Sequence, residues 1–182
     1  MSPKSKTATM KKKEGTFRKR ASPAKKKIPV KVFISYSHID NGFKDELLNM
    51  LASLEKQKVI QVWQDRKIEG GDNWYKAIQS AMKTCKMAIL LVSQSFLNSE
   101  FIQREEVPLL LKQRMRQGMR VVPIIVRPCL WQDDPVLSKI QALPREGKPV
   151  ISFSNAHGRR DQVWVEIAQS IGRRARALQR NQ

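Results

Sequence analysis

A doubly wound α/β architecture is what this sequence predicts: a mostly parallel, five-stranded sheet with helices on both faces. Three observations carry that expectation. From residue 29 onward, short apolar runs alternate with amphipathic stretches instead of segregating into a strand half and a helix half. The run Met87 to Val92 is apolar at every position, as a strand covered on both faces must be. No internal repeat interrupts the pattern. Right-handed crossovers then leave few topologies, of which the flavodoxin-like order is the commonest at this length.

The elements follow in order. Val30 to Tyr36 reads as the first strand, with Val30, Val32, Phe33 and Ile34 as its apolar positions. Asp40 is placed to cap a helix whose Phe43, Leu47, Met50, Leu51 and Leu54 recur at helical spacing. Val59 to Trp63 is a second short strand. Gly70-Gly71 makes a turn, and Asp72 or Asn73 can cap the next helix, with Trp74, Ala77, Ile78, Ala81, Met82 and Cys85 along one face. After the third strand, a helical region is expected from about Ser99 to Gln117, closing near Gly118. Val121 to Val126 is the fourth strand and Pro149 to Phe153 a candidate fifth, separated by a Pro-containing loop region. Asp161 opens a last helix with Trp164, Ile167, Ala168 and Ile171 on its apolar face.

Charge divides the chain in two. Of 182 residues, 35 are Lys or Arg and 16 Asp or Glu, a formal net charge of +19. Residues 1–28 hold eleven of the basic groups and one Glu, a net +10, with no Leu or Val. Such a leader cannot bury enough apolar surface to offset its ordering entropy, so disorder is expected there, with one folded domain over residues 29–182. Its charge suits phosphates of nucleic acid or an anionic surface, or serves as a solubilising tail. The longest apolar runs are six residues, far short of the roughly 20 a membrane-spanning helix needs. The basic start is not followed by the apolar stretch of a signal peptide. Cys85 and Cys129 form no CxxC pair, so neither a zinc site nor a disulfide framework is expected, and a cytoplasmic setting is the simplest one.

Ligands of doubly wound sheets bind outside the carboxyl ends of the strands. Here those ends are Ser35-Tyr36-Ser37, the Asp65–Asn73 loop and the stretch from Ser93 to Glu106. Neither GxGxxG nor GxxxxGK[ST] occurs, which argues against an ordinary dinucleotide fold and a P-loop ATPase. The third strand ends in Ser93 rather than the Asp of a phosphoacceptor domain. No GxSxG elbow is present, and His38 and His157 lack companions for a metal site.

What remains is Phe33-Ile34-Ser35-Tyr36-Ser37, Trp63-Gln64-Asp65-Arg66, Ile68-x-Gly70-x-x-x-Trp74 and Ser99-Glu100-Phe101 followed by Glu105-Glu106. Arg127-Pro128-Cys129-x-Trp131 and Leu143-Pro144 come after. In this order and spacing, from about Pro29 to Ile171, they resemble the Toll/interleukin-1 receptor (TIR) domain in its bacterial branch. The resemblance implies one of two activities. Many bacterial members hydrolyse NAD at the nicotinamide–ribose bond, giving nicotinamide and ADP-ribose or a cyclic isomer, when TIR domains associate in signalling or defence. Others act as non-catalytic scaffolds through TIR–TIR contacts. In the first case NAD is substrate and no cofactor or metal is implied.

The resemblance also implies site residues. The family's glutamate follows a Ser-x-aromatic element after the third strand. Counting four on from Phe101, in the animal and plant style, selects Glu105; the bacterial Glu-apolar-Pro style selects Glu106, before Val107-Pro108, and is preferred here. Helical periodicity does not separate the two, because apolar residues flank both. Phe101 matches the aromatic position beside the glutamate. Phe33, Ser35 and Tyr36 match the pocket-lining end of the first strand, and Arg66 and Lys67 enter the loop equivalent to the TIR BB loop. That loop carries Ile68-Glu69-Gly70 where a Pro often precedes the Gly, which leaves it more flexible.

Overall fold

The computed structural model describes residues 28–63 and 72–181. The expected leader, and the loop with Arg66, Lys67, Gly70 and Gly71, lie outside them. Four strands are present among the described residues: β1 (Val30–Tyr36), β2 (Ile60–Val62), β3 (Met87–Val92) and β4 (Arg120–Ile125). They pair in parallel in the order β2-β1-β3-β4. The flanking helices are α1 (Asn41–Lys56), α2 (Asp72–Thr84), the single turn α3 (Gln94–Leu97), α4 (Val107–Gln117) and α5 (Arg159–Arg180).

The two-residue period of a strand sorts the core into two layers. Val30 and Val32 of β1, Met87, Ile89 and Leu91 of β3, and Val122 and Ile124 of β4 share one cluster with α1 and α5. The alternate positions Phe33, Ala88, Leu90, Val92, Val121 and Ile125 share the other, with α2 and α4. Every residue of β3 is buried, as its unbroken apolar run requires.

The α/β class is as expected; the strand count is not. Within Pro149 to Phe153, residues Val150–Ser152 form a 3-10 turn. Pro149 has no N–H to donate to a ladder. The amides of Ser152 and Phe153 are spent locally on the carbonyls of Pro149 and Val150 (2.9 and 3.1 Å), so only Ile151 N–H reaches outward, to Val126 O just past the end of β4. The flank of β4 is instead met by Leu143, which donates to Pro123 O and accepts from Ile125 N–H, both at 2.8 Å. That single bridge stands where a fifth strand was expected.

Two local expectations also change. Asp40 precedes α1, but its side chain makes no capping bond and is completely buried. The helical region beginning near Ser99 is not uniform: Ile102–Glu106 is a π-helical turn, in which Val107 N–H reaches back to Ile102 O, before α4 continues to a left-handed Gly118.

Candidate active site

The order in which strands are added reverses between β1 and β3, since β1 connects through α1 to β2 on one side while β3 and β4 lie on the other. A crevice is expected outside the carboxyl ends of those two strands. A cleft of about 310 Å³ lies there, lined by Phe33 to His38, Trp63, Ile78, Ser99, Phe101, Ile102 and Glu106.

Glu106 reaches the cleft through two independent geometric facts. Ser35 lies two residues beyond Phe33 on β1, so its side chain faces the α2/α4 layer. From the opposite side, the π turn carries Glu106 inward. In an α-helix of 3.6 residues per turn, Glu105 and Glu106 would stand about 60° to one side and about 40° to the other of the line through buried Ile102. The wider π turn makes each step smaller, so Glu105 falls farther from that line and Glu106 swings across it. Glu106 is accordingly 7 % exposed and Glu105 is exposed. Ser35 Oγ donates a short hydrogen bond to Glu106 Oε2. Burial pushes the Glu106 carboxyl above its ordinary range, and the Ser35 hydrogen bond pulls partly back.

The other expected residues distribute unevenly. Phe33 is buried in the cleft floor, with its ring centroid 5.5 Å from that of Trp63 at 32°. Phe101 is half-buried and lines the cleft. Tyr36 lines it too, but its ring turns toward α1, where Lys44 Nζ lies 5.5 Å from the ring centroid. Arg66 and Lys67 lie outside the described residues. Trp63, Ile78, Ser99 and Ile102 join the lining without having been singled out as site residues. Trp63 was legible as part of the second strand's motif, whereas Ile78 and Ile102 carry only the ordinary signature of helix core.

A second polar cluster supports this end of the sheet. Asp40 Oδ2 accepts from Ser93 Oγ at 2.5 Å and Asp40 Oδ1 from Arg127 Nε at 2.7 Å. Ser93 Oγ in turn accepts from Phe96 N–H at 3.1 Å, capping α3. The Arg127 guanidinium stacks 5.0 Å over Phe43. These bonds tie the start of α1, the end of β3 and the segment after β4 into one support, a role that the local capping signal at Asp40 does not reveal. Among the described residues, no group of three or more His, Cys, Asp or Glu could hold a metal ion. None of the described helices is long and apolar enough to cross a membrane.

Comparison with known proteins bears on the family and the fold. A family model described as the TIR domain matches residues 32–163, more than two thirds of the chain. The uncharacterized protein y4lF of Sinorhizobium fredii (strain NBRC 101917 / NGR234) is 34% identical over 140 residues, covering 77% of this chain and 42% of that protein. The chain therefore spans less than half the length of that relative. Among solved structures, the TIR domains of the activated Roq1 resistosome, which directly recognizes the pathogen effector XopQ, superpose with a TM-score of 0.56. That match is 16% identical and covers 78% of this chain and 99% of the other, a likeness of fold.

Proposed function

This chain belongs to the TIR domain family, and from that premise we propose that it is an NAD glycohydrolase with Glu106 as its catalytic carboxylate. The observation that carries the reading is the buried Glu106 carboxyl, bonded to Ser35 in a cleft at the switch point of the sheet. Glu105, the other candidate, is exposed.

The chemistry needs little more. The nicotinamide of NAD is already a cationic pyridinium, so when the bond from ribose C1′ to its ring nitrogen breaks, the electron pair stays on nitrogen and nicotinamide leaves neutral. No general acid is required. Positive charge develops on the ribose, and an ionised carboxylate beside it lowers that barrier in a water-poor cleft. Attack of water at C1′ then gives ADP-ribose and releases a proton; attack by an adenine nitrogen gives the cyclic isomer. A cleft of about 310 Å³ lies at the low end of small-molecule sites and suits the nicotinamide–ribose end rather than a whole dinucleotide. Phe33, Trp63 and Phe101 supply the aromatic surface for the ring. Tyr36, Arg66 and Lys67 are the remaining candidates for contact with the rest of NAD. Association between copies of the domain is the proposed activator, by closing the open side of the cleft.

Nicotinamide release from NAD, followed over a protein concentration series, tests the reading. The expected result is turnover rising faster than linearly with concentration, abolished by Glu106→Gln and retained by Glu105→Gln. Absence of nicotinamide release from concentrated, folded protein would reject the hydrolase in favour of a scaffold acting through TIR–TIR contacts. Loss of turnover in Glu105→Gln alone would reassign the carboxylate.

A further inference from the structure

The end of the domain opposite the cleft carries a different chemistry. A concavity of about 620 Å³ opens where α4, the start of β4, the 140–141 segment and α5 meet. Its lining includes Arg114 from α4, Arg120 from β4 and Arg174 from α5. These three come from separate elements, so only the tertiary fold brings them together. Among the described residues none of them makes a side-chain hydrogen bond or an ion pair, whereas Arg127 and Arg160 elsewhere are paired with Asp40 and Glu46. Among the described residues no carboxylate lines the concavity.

Helix-dipole complementarity explains only part of this. Arg114 lies in the last turn of α4, where a cation is favourable. Arg120 is on a strand, and Arg174 lies about 9 Å along α5 before its end at Arg180, beyond the reach of that effect. Arg174 is also half-buried, and its burial together with the nearby charges of Arg120 and Arg173 disfavours its protonated form. The fold therefore holds like charges together with no counter-charge among the described residues. A ligand that neutralises several guanidiniums at once relieves that repulsion, and the planar fork of arginine matches phosphate oxygens in pairs.

We propose that the concavity bounded by Arg114, Arg120 and Arg174 is a binding site for a compact anion bearing two or more linked phosphates. The site is independent of the glycohydrolase reading and stands or falls without it.

Inorganic triphosphate is the probe, titrated calorimetrically into the full chain at fixed ionic strength, with the basic leader present in every sample so that its contribution is constant. Arg114→Gln, Arg120→Gln and Arg174→Gln are compared with Arg159→Gln, an exposed arginine about 22 Å along α5 from Arg174. The expected result is one tight site in the wild type, weakened about tenfold or more by each pocket variant and unchanged in Arg159→Gln. Arg114 and Arg120 are exposed, so their variants keep the test meaningful should Arg174→Gln unfold. Equal affinity across all four variants would assign binding to diffuse charge or the leader and overturn the proposal, as would no binding by the wild type.

Discussion

Asp40 and Glu106 are both carboxylates withdrawn from water at the carboxyl end of the central strands, the first wholly and the second to 7 %, yet they differ in what faces them. Asp40 meets a guanidinium and a hydroxyl, each donating to its own carboxylate oxygen. Glu106 meets a hydroxyl and an apolar, aromatic-lined cleft, with no cation bonded to it among the described residues. A buried carboxylate that meets a cation and a hydroxyl from distant segments fastens those segments together. One without a cation keeps a raised proton affinity and its interaction with a developing positive charge is undiminished. On the proposed reading, that difference separates a carboxylate that fastens structure from one that does chemistry.

The sharpest way to break that comparison is to neutralise each member without changing its shape. Glu106→Gln is expected to lower nicotinamide release by about 10³-fold, the scale of losing one preorganised electrostatic group, near 4 kcal/mol of barrier. Its thermal midpoint should stay level or rise, because a charge no longer has to be buried. The structural member behaves oppositely. Arg127→Ala strands the Asp40 carboxylate in the interior and should destabilise the fold by ~3 kcal/mol, at the lower edge for a broken buried pair because Arg127 is 38 % exposed. Urea unfolding measures this directly. A stable Arg127→Ala protein, or an unfolded Glu106→Gln one, would reverse the two assignments.

How far the sequence reveals each member depends on the range of the interactions. The alternation of apolar runs gave the class of fold, and the all-apolar Met87–Val92 its central strand, because both reflect local periodicity against burial. Asp40 misled: an Asp ahead of a helix is the ordinary cap signal, while its partners Ser93 and Arg127 lie 53 and 87 residues away. The expected fifth strand failed because Val150 and Ile151 carry strand propensity while neighbouring amides close local turns. Glu105 and Glu106 could not be separated by a 3.6-residue period because the helix there does not keep that period. Arg114, Arg120 and Arg174, spread over three elements, leave no linear trace of their meeting.

The pH dependence of stability sharpens the comparison further. Glu106 has a folded-state proton affinity above that of the unfolded chain, where a glutamate titrates near pH 4.3. Folding therefore favours the protonated form. Its contribution is fully present below the unfolded value and is lost as pH rises through the raised folded one. Wild-type stability relative to Glu106→Gln should fall over that window and then level off, as read by unfolding midpoints across a pH series. A difference flat with pH would mean that Glu106 gains as much from its surroundings as it loses by burial.

Ser35→Ala is the smallest of these perturbations and the one that isolates the hydroxyl. The Ser35 O–H donates to Glu106 and so favours its ionised form, opposing the burial that raises it. Removing the hydroxyl leaves burial unopposed, and the carboxyl should hold its proton to still higher pH. If the ionised carboxylate is the working form, the acid limb of nicotinamide release moves upward in pH. Activity at neutral pH then falls by about tenfold, the scale of one hydrogen bond to a charged group, while the alkaline plateau changes less. A loss uniform across pH would point instead to Ser35 orienting the carboxylate or touching substrate. Ser35→Thr, which keeps the donor, separates these cases: it restores the position of the limb if the hydrogen bond to Glu106 is what sets it.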